Sequence, residues 1–130
     1  MDEIDQKIID VLHENSRMTW KDIGMRVHLT GQAVGARIER LISDGHIRKF
    51  TVDVREENTA FITVYMKTPA YRDFETTFSE HPAVERLDKI SGDGCYFMTV
   101  HLPSDLLDLF CAALLDYGRY QINLSLRQIK

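Results

Sequence analysis

Residues 19–45 read TWKDIGMRVHLTGQAVGARIERLISDG. Apolar residues recur there at helical spacing twice, first as Trp20, Ile23 and Val27, then as Val34, Ile38, Leu41 and Ile42. Each run opens on a hydroxyl suited to an N-cap. Thr19 begins a capping-box form with Asp22 in place of the usual Glu, and Thr30 precedes the second run. Gly45 stands where a C-terminal cap belongs. His28 and Leu29 alone separate the runs. The pattern predicts two helices joined by a tight turn, the second over about 30–44, with Trp20 packed in their core.

Upstream, Ile4, Ile8, Val11 and Leu12 mark a first helix from about Asp2 to Glu14, with acids in its first turn where the helix dipole favours them. A bracing helix before a tightly turned pair makes a three-helix helix-turn-helix unit. On its third helix, Gln32, Ala33, Ala36, Arg37 and Arg40 are expected to point away from the apolar stripe. Small or amide-bearing residues at its start let such a helix sit deep in a groove. Arg pairs with a guanine edge or grips phosphate, and Gln pairs with adenine. The same spacing also describes a helical hairpin packed on a partner.

Charge sharpens the choice. The chain of 130 residues carries a formal net charge of −4. In residues 15–50, Arg17, Lys21, Arg26, Arg37, Arg40, Arg48 and Lys49 outnumber Asp22, Glu39 and Asp44, whereas the segments on either side are acidic. Such a basic island suits a polyanion even in an acidic protein. Apolar residues at 44% and charged residues at 28% are the proportions of a globular protein and exclude disorder. The longest apolar stretch, 106–115, is interrupted by Asp108 and is too short to cross a bilayer. The acidic start is unlike a signal peptide, and two cysteines do not make a disulfide framework, so a cytosolic protein is expected.

Downstream of Gly45 the pattern changes. Residues 46–54 (HIRKFTVDV) alternate with period two and predict a strand, a wing beside the helices that carries Arg48 and Lys49. Residues 59–67 (TAFITVYMK) predict the next strand. Phe74 and Phe78 mark a helix stopped by Pro82, and 84–91 and 95–102 predict strands around the Gly92-Asp93-Gly94 turn. Leu106, Leu107, Leu109, Phe110, Ala113 and Leu114 form a strongly apolar helix that Gly118 closes, and 120–129 alternate as a last strand. The order is βαββαβ, the ferredoxin-like split unit. The fold class is therefore α+β: a winged helix-turn-helix domain at 1–50, a linker strand at 51–58 and a ferredoxin-like domain at 59–130.

Parity divides that sheet. Ile62, Val64, Met66, Tyr96, Met98, Val100, Leu102, Ile122, Leu124 and Leu126 are expected under the two helices. The opposite face, with Phe61, Thr63, Tyr65, Cys95, Phe97, Thr99 and His101, is too apolar for water. A second copy of the sheet, as in a symmetric dimer, would cover it, and so would the N-terminal helices folded back over it; the dimer is the favoured expectation. The histidines at 13, 28, 46, 81 and 101 have no metal-ligand spacing with one another or with Cys95 and Cys111, so no metal or cofactor is expected. Nor does any catalytic set stand out.

This combination resembles the Lrp/AsnC transcriptional regulators. The resemblance covers the whole chain and is closest over Asp5-Gln6-Lys7-Ile8-Ile9, Arg17, Ile23-Gly24, Val27, Leu29-Thr30, Val34, Arg37-Ile38, Arg40-Leu41 and Gly45-His46-Ile47. It implies a regulator of double-stranded DNA, with Thr30, Gln32, Ala33, Ala36, Arg37, Arg40, Arg48 and Lys49 as the expected contacts. It also implies homodimers that assemble further into octamers, an amino-acid effector, and a C-terminal half that senses and assembles.

One departure is informative. The family's turn between the second and third sensing-domain strands usually reads glycine, variable, tyrosine, aspartate, tyrosine. Here Gly92-Asp93-Gly94-Cys95-Tyr96 stands in its place. These five residues are the expected effector neighbourhood, but Cys95 replaces the aspartate, and a neutral thiol is a poor partner for an α-ammonium group. A ligand-independent protein that bends or wraps DNA is the alternative that this departure favours. A tetrapyrrole decarboxylase shares the two-part fold. It would need His or Arg side chains lining a large pocket, which five scattered histidines do not suggest, so no enzyme is expected.

Overall fold

The computed structural model describes residues 1–130 and divides into two compact units, Met1–Asp53 and Val54–Lys130. The first unit holds α1 (Glu3–Glu14), α2 (Trp20–Val27) and α3 (Gly31–Ser43). Its core is aliphatic: Ile8, Ile23 and Val34 are fully buried beside Val11, Val27 and Ile38. Burying each such side chain is worth about 1.5–3 kcal/mol. The full reciprocal capping box belongs to α1, where Asp2 and Asp5 each accept the other's backbone N–H. Thr19 caps α2 by accepting from the Asp22 N–H.

Two expectations about this core change. Trp20 is 46% exposed, and Ile42 is 45% exposed. The Trp20 ring lies on Gly35, where a Cβ would come within 2.3 Å of it, so the indole covers α3 from the side and leaves the interior to smaller residues. Ile42 falls outside the narrower buried stripe of Val34, Ile38 and Leu41.

The expected strand over 46–54 is absent, and with it the wing. Between Ser43 and Ala60 the chain forms no regular element. Gly45 takes a positive φ, and the N–H groups of His46 and Ile47 both close onto the Leu41 carbonyl, ending α3. Phe50, Val52 and Val54 are exposed. An alternating pattern becomes a strand only with a neighbour to accept its ladder, and this chain supplies none.

The second unit runs β1 (Ala60–Met66), α4 (Tyr71–Ser79), β2 (Val84–Lys89), β3 (Tyr96–Val100), α5 (Ser104–Leu114) and β4 (Gly118–Leu124). Its antiparallel sheet has the order β2-β3-β1-β4, as the βαββαβ reading requires. Ile62, Val64, Tyr96, Met98 and Val100 lie in one core with Phe74 and Phe78 of α4 and Phe110 and Leu114 of α5. The rings interlock, with Phe74 to Phe78 at 4.8 Å and Phe78 to Phe110 at 5.4 Å between centroids.

The last strand is shorter than expected. Its ladder with β1 ends at Ala60 opposite Leu124, and beyond it one more backbone bond, from the Ser125 N–H to the Thr59 carbonyl, ties the chain down. Leu124 and Leu126, expected under the helices, are 62% and 98% exposed. Gly118 opens β4 and does not close α5. A Cβ there would stand 2.0 Å from the Tyr65 carbonyl oxygen, so only glycine fits against β1.

Candidate nucleic-acid interface

The turn between α2 and α3 is built from backbone. The Leu29 N–H bonds to the Gly24 carbonyl, and a Cβ on Gly24 would stand 2.3 Å from the Leu29 oxygen. His28 closes α2 in the left-handed conformation at φ 61°. Thr30 then caps α3, its hydroxyl accepting from the Ala33 N–H at 3.1 Å. The result is a short, rigid entry to α3.

Along α3, Gln32, Ala36 and Arg40 are exposed at i, i+4 and i+8, forming one outward stripe, and Ala33 is half-buried beside it. Arg40 forms no ion pair. Neither do Arg48 and Lys49, both exposed on the unpaired segment after α3, nor Arg17 and Lys21, which belong to the basic island but are not among the expected contacts. In contrast, Lys7 pairs with Glu3, and Arg26 with Glu14.

Arg37 is the correction. Expected to face outward with Arg40, it turns to α1 instead. One guanidinium nitrogen donates to both Asp2 oxygens at 2.9 and 2.7 Å and to Asp5 Oδ1 at 3.1 Å. Asp5 is 4% exposed, a buried carboxylate that is costly unless paired and hydrogen-bonded. Hydrogen bonding to Arg37 holds the Asp2 carboxyl at about 2, well below its usual range, and the same bonds raise the guanidinium pKa. Asp2, Asp5 and Asp44 also line a cleft of about 380 Å³ on this side, together with Arg40 and His46. The exposed stripe of α3 is therefore Gln32, Ala36 and Arg40, with Arg37 turned away from it.

In the second unit, Gly92 and Gly94 both take positive φ, at 89° and 102°, and give the turn its shape. A Cβ on Gly94 would meet Thr63, so the turn lies close on β1. Asp93 accepts a hydrogen bond from the Tyr65 hydroxyl at 2.9 Å, which raises the phenol pKa. Arg119 stacks over the same ring at 3.9 Å. Cys95 is a half-buried free thiol. Tyr96, expected in this neighbourhood, is instead buried among the core rings, its hydroxyl donating to Glu75. Burial first, then the Glu75 carboxylate, pushes its pKa up. Parity explains the split, since adjacent strand residues face opposite sides.

Comparison with known proteins follows the same division. Residues 1–42 match the AsnC-type helix-turn-helix domain, and residues 59–130 match the Lrp/AsnC ligand binding domain. The chain belongs to the Lrp/AsnC family. It is a DNA-binding transcriptional regulator of that type. The HTH-type transcriptional regulator LrpB of Bacillus subtilis is 34% identical over all of this chain and 91% of its own length. The structure of B. subtilis LrpC superposes with a TM-score of 0.86 at 22% identity, covering 100% of this chain and 97% of that one. A Neisseria meningitidis regulator, NMB0573, solved in complex with L-Met, superposes at 0.84 and 24% identity, covering 100% and 92%. No helix of this Lrp/AsnC chain is long and apolar enough to cross a membrane.

Proposed function

We propose that this regulator enters the DNA major groove through α3, with Gln32, Ala36 and Arg40 against base edges and Thr30 and Ala33 at the approach of the helix N-terminus. Arg48, Lys49 and Lys21 meet phosphate, and Arg37 holds the helix in place. The observation that carries this reading is the contrast on α3 itself: Arg40 is exposed and unpaired, whereas Arg37 is consumed by Asp2 and Asp5.

The regulator acts as a homodimer in the cytoplasm, without enzymatic activity. The half-exposed sheet face supports the dimer, since Phe61 and Phe97 stack there with Phe97 36% exposed. An identical sheet is the natural cover for it. The effector reading draws on the solved relative with methionine and on the turn at Gly92, Asp93, Gly94 and Cys95. A second reading, regulation without effector, is favoured by Cys95, a neutral thiol where the family's turn carries an aspartate, and by the hydrogen bond that engages Asp93 with Tyr65.

Fluorescence anisotropy of a duplex from the gene's upstream region, against a scrambled duplex, tests both readings. Preference for the upstream duplex with a steep salt dependence is expected. A shift on adding a single amino acid establishes the effector, and indifference to every amino acid establishes the second reading. Equal weak binding to both duplexes at low salt overturns the α3 assignment.

A further inference from the structure

His101 stands where the end of the linker, β2 and β3 meet. The register of β1 on β3 sets Ala60 opposite Val100, so the next pair outward sets Thr59 opposite His101. The ring Nδ1 lies 3.0 Å from the Thr59 hydroxyl and 3.2 Å from the Asn58 carbonyl. The backbone N–H of His101 bonds to the Ala83 carbonyl, just before β2. On β2 the register slips between Val84, opposite Val100, and Arg86, opposite Thr99. Glu85 is the extra residue of that bulge, and a bulge re-aims a side chain. Its Oε1 comes within 3.4 Å of His101 Nε2, which is buried and makes no hydrogen bond.

Three oxygens thus surround one imidazole. A neutral ring has one N–H and one lone pair. With the proton on Nδ1, the Asn58 carbonyl is met, but the Nε2 lone pair faces the Glu85 carboxylate. With the proton on Nε2, Glu85 is met, but the Nδ1 lone pair faces the Asn58 carbonyl. The imidazolium alone donates in both directions. Other charges do not compete for it. Arg86 and Asp88 pair with each other at 2.6 Å, Glu57 beside Asn58 is exposed, and the next outer-face residues on β1 and β3, Phe61 and Thr99, are uncharged. The Glu85 side chain is 62% exposed, so it has room to close on Nε2.

We propose that His101 is a proton-operated latch on the linker. When the ring takes up its second proton, Nδ1–H holds the Asn58 carbonyl, Nε2–H holds Glu85, and the last residues of the linker are bound to β2. When the ring loses that proton, one of the two ties opens. Histidine is the side chain whose charge changes near neutrality. Residues 54–59 are the covalent tie that leads from the first unit into β1, so the latch sets how freely that segment leaves the sheet. Each chain holds its own latch, which depends neither on the proposed DNA contacts nor on the effector turn.

Nuclear magnetic resonance of the full chain between about pH 5 and pH 8 tests the latch. The Thr59 amide shares a peptide group with the Asn58 carbonyl, so its shift should titrate with the same midpoint as the His101 ring. Order parameters of residues 56–58 should fall by about 0.1 or more as the ring becomes neutral. Glu85→Gln, at an exposed bulge position, should move the His101 midpoint to lower pH by about half a pH unit or more and leave the other histidines, at 13, 28, 46 and 81, where they are. His101→Gln should remove the Thr59 transition. A Thr59 amide that ignores the His101 titration overturns the proposal. So does a His101 midpoint that Glu85→Gln leaves in place, the result expected if the ring only packs against the linker.

Discussion

The two units hold their helices in different ways. The ferredoxin-like unit is held by rings, with Phe74, Phe78, Tyr96 and Phe110 in one continuous core. The helix-turn-helix unit has no aromatic residue in its buried cluster. There α3 is positioned by small aliphatic contacts, by Trp20 lying on Gly35, and by the Arg37 clamp onto Asp2 and Asp5. A thin core leaves more of the work to polar and edge contacts. A charged residue on α3 can therefore serve the architecture.

The largest expected effect is in the aromatic unit. Phe74 is fully buried and contacts Phe78, Tyr96 and Tyr117. Phe74→Ala should cost about 3–5 kcal/mol by lost burial and the cavity left behind. Urea unfolding followed by circular dichroism would measure it. A loss under 1 kcal/mol, on the order of a surface change, would mean that the rings do not form the continuous core described. The matching break in the smaller unit is Gly35→Ala, whose new methyl meets the Trp20 ring at 2.3 Å. About 1–3 kcal/mol is expected, together with a shift in tryptophan emission as the indole is displaced. Unchanged emission would show that Trp20 does not rest on α3.

Legibility in the sequence follows the same line. Local signals carried well: Thr19 and Thr30 cap their helices, Gly45 ends α3, and the alternation of 59–67 sets both faces of β1. What failed depended on partners distant in the chain. Arg37 meets Asp2 across 35 residues, and helical spacing says nothing of that. The acids of the first turn were visible, but their value to the helix dipole masked their second use. The alternating 46–54 segment and the end of β4 were overread because alternation reports a willingness to pair, while strand length is set by the neighbour. β1 ends at Ala60, and so the ladder ends at Leu124. In the candidate site, the outward stripe Gln32, Ala36 and Arg40 was legible from period alone, whereas the exclusion of Arg37 from it was not.

The arginine contrast sharpens into a binding experiment. Arg40→Ala should cost on the order of 1–3 kcal/mol against the specific duplex and relax discrimination against the scrambled one, if its guanidinium reads a base edge. Arg37→Ala should lower the thermal midpoint while the ratio of specific to scrambled affinity stays close to that of the parent. The reverse assignment, with specificity lost at Arg37 and stability at Arg40, would return Arg37 to the DNA surface.

The smallest effect separates the clamp from an incidental surface pair through its pH dependence. Asp2 has its carboxyl pKa lowered in the folded chain to about 2 from 3.8, chiefly by hydrogen bonding to Arg37. A group depressed on folding contributes stability in full above its unfolded value and loses it as pH falls through its folded one. The Arg37 guanidinium stays charged throughout, so the titrating partner is the carboxylate. The difference in thermal midpoint between parent and Arg37→Ala should therefore be constant above about pH 5, narrow below pH 4, and be smallest near pH 2. The part due to buried Asp5 should remain in Asp2→Asn, which retains the second ion-pair partner but lacks the first. A midpoint difference that is flat from pH 6 to pH 2 would mean that Arg37 steadies α3 by packing its aliphatic stem alone. The comparison between the units would then be one of large and small cores, with no electrostatic component.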